Sequence, residues 1–118
     1  MGLLDKLFGK ETLEPPPEHA VIVAFDYGLP DTQPMFALEE QLEAAIAAAG
    51  TGEFDGNEIA VDLSDGTFWM YGPDADALFA SVRPVLKGAS FMRAARVTLR
   101  YGPPEDGVRE VELRLPSA

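Results

Sequence analysis

The sequence contains no cysteine. Disulfides, thiolate catalysis and cysteine-based zinc sites are thereby excluded, and the absence fits a cytoplasmic protein. Histidine occurs once, as His19, so the commonest general base and metal ligand is missing from most of the chain. No apolar run reaches the roughly 20 residues that a membrane-spanning helix needs. The N-terminus lacks a basic stretch followed by an apolar core of about 7–15 residues, so secretion is not expected. Positive charge is the most telling shortage. Between Glu11 and Val82 there is no Lys or Arg, against fifteen Asp or Glu. From Arg83 to the end, seven Lys or Arg face four acids, and the formal net charge is −11. Nucleic-acid binding is disfavoured, because phosphate contact needs a basic footprint. An acidic surface serves solubility, or meets a basic partner.

What is present is organised around residues 67–76. Phe68, Trp69, Met70 and Tyr71 are consecutive large apolar residues, which predicts a strand covered on both faces. Phe68 and Trp69 must point to opposite faces, so both are expected to be buried in the assembled protein. Asp65-Gly66 reads as a tight turn. Before it, Ile59, Val61 and Leu63 alternate with Glu58, Ala60 and Asp62, predicting a half-wet strand over 57–63. After Tyr71, Leu78, Phe79, Val82, Val85 and Leu86 mark one face of a helix. Pro73, Asp74 and Asp76 suit its first turn. Pro84 is expected to kink its end, and Lys87-Gly88 to close it.

The remaining elements follow from the same grammar. Residues 20–27 are almost wholly apolar and rich in β-formers, the pattern of a central strand. Asp26 at its exit is too costly to bury unpaired, which places it at the sheet's end or in a site. Pro34 opens a helix to about Ala49, with Leu38, Leu42, Ala45, Ile46 and Ala49 inward and Glu39, Glu40 and Glu43 outward. The acids of 51–56, with Asp62 and Asp65, do not match a calcium-loop pattern and read as turn residues. Val97, Leu99 and Tyr101 alternate with Arg96, Thr98 and Arg100. Val111, Leu113 and Leu115 alternate with Glu110, Glu112 and Arg114. This pair reads as a C-terminal hairpin in which Arg96 and Arg100 lie across from Glu110 and Glu112.

Residues 1–17 stand apart. Leu3, Leu4, Leu7 and Phe8 share one helical face, and Pro15-Pro16-Pro17 forms a stiff spacer. The segment reads as a terminal turn on its own domain, with docking to a partner or a membrane surface through Leu3 and Leu7 as the alternative. The folded domain is expected over 18–118. His19 at the junction has no partner in sequence and reads as inert.

The element order β-α-β-β-α-β-β, with two apolar strands and three alternating ones, resembles the ferredoxin-like (split β-α-β) fold. At that level the chain looks like small bacterial proteins, and no functional family is carried by its motifs. The resemblance implies an α+β protein with one antiparallel sheet, two helices on one face and an extra C-terminal edge strand. The implied strand order is 57–63, 67–71, 20–27, 96–101, 108–115.

Three functions compete, because such a fold hosts unrelated activities. The first is a small, acidic, non-enzymatic interaction or ligand-binding module, with Trp69 a candidate contact for a protein partner or self-association and the helix-free sheet face to be covered by the N-terminal segment, a second subunit or a partner. The second is an inhibitor or immunity-type protein meeting a basic target through Glu39, Glu40 and Glu43. The third is a small enzyme using carboxylates and tyrosines, with Asp26, Tyr27 and Tyr71 its clustered candidates. Tyr27 and Tyr71 end antiparallel neighbours and so exit at opposite ends of the sheet. No catalytic residue, cofactor or metal ligand is assigned.

Overall fold

A computed structural model of the chain describes residues 18–116. Five strands and two helices follow in the order β1 (His19–Asp26), α1 (Gln33–Ala49), β2 (Glu53–Ile59), β3 (Asp65–Gly72), α2 (Ala75–Lys87), β4 (Arg96–Arg100) and β5 (Glu110–Arg114). A 3-10 turn at Ser90–Met92 precedes β4. The strands form one sheet in the order β2-β3-β1-β4-β5, and every neighbouring pair is antiparallel. The domain is therefore α+β, with its two most apolar strands in the interior of the sheet.

Alternation sorts each strand's residues between two faces. Val21, Val23, Phe25, Phe68, Met70, Val97 and Leu99 point to the face that carries both helices, and all are buried. They meet Met35, Leu38, Leu42 and Ile46 of α1 and Leu78, Val82 and Leu86 of α2. Phe25 and Phe68 sit at the centre, with ring centroids 4.8 Å apart. Burying each such side chain contributes about 1.5–3 kcal/mol. α1 lies over β2 and against α2, while α2 covers β1, β3 and β4.

Local chemistry sets the helix ends. α1 begins with Pro34 in its first turn and stops at Gly50, whose φ of 68° lets its N–H reach the Ile46 carbonyl. α2 starts two residues later than the position of Pro73 implied. Asp74 is its N-cap, and one carboxylate oxygen accepts from the backbone N–H of Asp76 and Ala77. The helix continues through Pro84 to Lys87. Gly88 caps it at φ −80°, outside the left-handed region. Ala49, expected inward, is exposed, and Met35 takes up the buried stripe one turn earlier.

The edge strand β2 departs most from expectation. It occupies Glu53–Ile59 rather than 57–63, so residues 53–56, read as turn, are strand. Residues 60–64 form the hairpin loop instead. Leu63 adopts φ 63° there, and its carbonyl accepts from Gly28 N–H while Ser64 accepts from Tyr27 N–H. Val61, whose alternation placed it inward, is fully exposed. The pairing with β3 skips a residue between Phe54 and Gly56, a bulge that resets the register.

The C-terminal hairpin pairs Arg100 with Glu110 as expected, but sets Arg96 opposite Arg114 and Glu112 opposite Thr98. Arg100 spends its guanidinium on the carbonyls of Gly102 and Glu18. Asp26 is exposed at the sheet's end, opposite Asp65. Among the described residues no helix is long and apolar enough to cross a membrane.

Candidate functional site

The helix-free face of the sheet is built from the residues between the core positions. Register lines them up in three rows. Glu53, Tyr71, Ala20 and Arg100 form the first; Gly56, Trp69, Ile22 and Thr98 the second; Glu58, Thr67, Ala24 and Arg96 the third. Each row runs β2-β3-β1-β4. Phe68 is fully buried beneath the helices, whereas Trp69, Ile22 and Tyr71 are only partly buried. The expectation that both Phe68 and Trp69 are buried therefore holds for Phe68 alone within this chain.

Trp69 lies at the centre of that face. Its cross-strand partner on β2 is Gly56, which offers no side chain, so one flank of the indole lacks the cross-strand packing that stabilises sheet pairs. Ile22 flanks it on the other side. Ala20 in the first row is fully buried, covered by its neighbours Tyr71 and Arg100, whose guanidinium lies 6.0 Å from the Tyr71 ring centroid. The face thus has an apolar centre, acids on β2 and arginines on β4, with Glu110, Glu112 and Arg114 of β5 continuing the three rows beyond them.

A second cluster forms where β1 begins. The Ala75 N–H donates to His19 Nδ1 at 3.0 Å, so the histidine satisfies an orphan amide at the start of α2. The His19 ring stands edge-on to Tyr101, with centroids 5.8 Å apart. Tyr101 donates its hydroxyl to Asp76 Oδ1 at 2.6 Å and carries the Arg109 guanidinium 4.5 Å from its ring centroid. That hydrogen bond to a carboxylate raises the Tyr101 pKa above its ordinary value, the wrong direction for a tyrosinate base at neutral pH. His19 is therefore engaged rather than idle, in a role that ties strand to helix. Sequence reasoning missed the cluster because its members lie far apart in the chain. The shared pattern of two strand exits, Tyr71-Gly72-Pro73 and Tyr101-Gly102-Pro103, is the one signal the sequence holds.

The other candidates are placed as follows. Glu40 and Glu43 are exposed on α1, but Glu39 is partly buried and its Oε2 accepts from Asn57 Nδ2 on β2. Burial raises the Glu39 pKa, with the Asn57 hydrogen bond opposing and Glu43 adding to the rise. Glu39 thus does not simply face water. Tyr27 is buried, donating its hydroxyl to the Asp31 carbonyl at 2.6 Å while accepting from Met35 N–H. Its role is to fix the start of α1. Tyr27 and Tyr71 lie at opposite ends of the sheet, and the structure does not bring Asp26, Tyr27 and Tyr71 together. Leu3 and Leu7 lie outside the described residues.

A solvent-open groove of about 640 Å³ runs between the C-terminal end of α1 and the Gly52, Tyr71 and Pro73 edge. Glu53 is the one charged residue of its lining. Among the described residues no three His, Asp or Glu side chains are grouped to hold a metal ion. In comparisons with known proteins, no family model, curated protein or solved structure matches the chain.

Proposed function

We propose that this chain is a non-enzymatic interaction module of ferredoxin-like architecture, binding a protein surface through the helix-free face of its sheet. The strand order β2-β3-β1-β4, with β5 added at the edge, supports the fold assignment. One observation carries the function: Trp69, Ile22 and Tyr71 sit partly exposed on the interior strands β3 and β1, where a sheet is normally covered. Tryptophan and tyrosine are the side chains from which binding hot spots are most often built. The test is Trp69→Ser combined with Ile22→Ser. Association with a protein surface should be lost while the unfolding transition stays cooperative. Binding that survives both substitutions would remove this face from consideration.

A second reading, an inhibitor-type module for a basic partner, draws on exposed Glu40 and Glu43 of α1 and on the exposed β2 acids Glu53, Asp55 and Glu58. It predicts association that slows steeply with added salt and with Glu40→Lys and Glu43→Lys, but not with Trp69→Ser.

A further inference from the structure

We infer that the occupant of the helix-free face is a second copy of this chain, stacked sheet to sheet about a two-fold axis parallel to the strands. The inference rests on the reading of that face as the binding surface and names its partner. Symmetry supplies the argument. A two-fold interface must be complementary to itself, because the same patch appears on both sides. Two twisted sheets nest when stacked with their strands nearly aligned. Two in-plane axes achieve this, one along the strands and one across them.

The charges choose between these axes. An axis along the seam of β1 and β3 exchanges the two halves of the face and keeps each row in place. It sets β2 over the second copy's β4, and β3 over its β1. Glu53 then faces Arg100 of the other copy, because both belong to the first row; Glu58 faces Arg96, because both belong to the third. Trp69 meets Ile22, since those two share the middle row. An axis across the strands exchanges the first and third rows instead. It would set Glu53 over Glu58 and Arg100 over Arg96, like charge on like. On β5 that second axis would set Glu110 over Arg114 of the other copy, but only the first arrangement pairs all four β2 and β4 charges with opposite ones around an apolar centre.

The charges are free to pair in this way. Among the described residues the side chains of Arg96 and Glu58 have no hydrogen-bond or ion-pair partner. Arg96 also stands opposite Arg114, an unfavourable like-charge pair that a carboxylate from above would relieve. Arg100 is held by two neutral carbonyls, which fix its position, with Glu110 across from it on β5. The face is small. Four strands at about 4.8 Å spacing and three rows at about 6.6 Å give a patch of roughly 20 Å by 20 Å. That is about half the roughly 800 Å² per partner of a standard interface. The dimer should therefore dissociate on dilution through the micromolar range.

The experiment is charge reversal read by sedimentation equilibrium and by acrylamide quenching of Trp69, the sole tryptophan. The full-length protein should dimerise, with Trp69 shielded more at high concentration than at low. Glu58→Arg and Arg96→Glu should each weaken self-association about tenfold or more, since each creates two like-charge contacts per dimer. Mixing the two single variants should restore association between unlike chains, because both contacts then pair opposite charges. No rearrangement within one chain produces that rescue. A monomer at all concentrations would overturn the second copy as occupant but leave the face itself to the Trp69→Ser test. A Trp69 already shielded in the monomer and released by deleting residues 1–17 would give the face to the N-terminal segment, and would likewise overturn the inference. A dimer indifferent to both reversals, with Trp69 freely quenched, would sink both the inference and the reading of the face beneath it.

Discussion

Tyr101 donates its hydroxyl to Asp76 at 2.6 Å, so the end of β4 is tied to the first turn of α2. The bond requires a protonated phenol, and an ionised carboxylate is its stronger acceptor. The Tyr101 pKa is raised chiefly by this bond. Stability from the bond is thus fully present below the unfolded tyrosine value, near 10, and is lost as pH rises through the higher folded value. Phenolate absorbance should show a late component from Tyr101 in the folded protein. Tyr101→Phe should abolish that late component and flatten stability against alkaline pH.

Glu39 has the same sign for a different reason. Its raised pKa comes first from burial, so the folded state prefers the proton. Stability from this group is fully present below the unfolded carboxyl value, near 4.3, and declines as pH rises through the folded one. Urea midpoints measured between about pH 3 and 7 should therefore favour wild type over Glu39→Gln increasingly as pH falls. The same trend in both proteins would contradict the assignment.

Reversing charges on α1 should separate its three glutamates. Glu40→Lys and Glu43→Lys alter exposed positions and should change stability by less than about 0.5 kcal/mol. Glu39→Lys breaks the bond to Asn57 and leaves a half-buried amide without its acceptor, at a cost of about 1–3 kcal/mol. Thermal unfolding of the three single variants checks the ranking.

Gly72 and Gly52 bring two backbones into contact. A Cβ on Gly72 would overlap the Thr51 carbonyl oxygen, and one on Gly52 would overlap that of Tyr71. Neither obstacle is a side chain that can swing away. Gly72→Ala should cost about 1–3 kcal/mol, whereas Ala at exposed Ala48 replaced by Ser should be near neutral. Denaturant midpoints give the comparison.

Much of the architecture was legible because it is written in contiguous signals. The apolar run 20–27, the dense run at Phe68–Tyr71 and the helical stripes each identify an element without reference to the rest. β2 was misplaced because its deciding features are not local. Val61 and Leu63 carry a strand-like alternation, yet the backbone amides of Tyr27 and Gly28 draw the 63–64 carbonyls into a loop. The bulge before Gly56 then disguises the true strand as a turn. On the functional face, the presence of Trp69 was legible and its exposure was not, because exposure depends on which face the helices take. The charge rows were invisible for the same reason. Glu58 and Arg96 are 38 positions apart in the sequence, and only the register puts them in one row.

The position of β1 also has a consequence for how the molecule is made. β1 comes first among the strands yet sits in the middle of the sheet, where it pairs with β3 and β4. Its partner residues arrive late: Ala20 opposes Tyr71 on one side and Arg100 on the other. At synthesis rates of about 5–20 residues per second, the most apolar strand waits on the order of several seconds before its second neighbour leaves the ribosome. Such long-range pairing folds slowly. The nascent chain therefore carries an exposed, adhesive ribbon through most of its synthesis, and the sixteen acids translated before the first arginine, with the electrostatic repulsion they provide, are already in place to keep neighbouring chains apart during that interval.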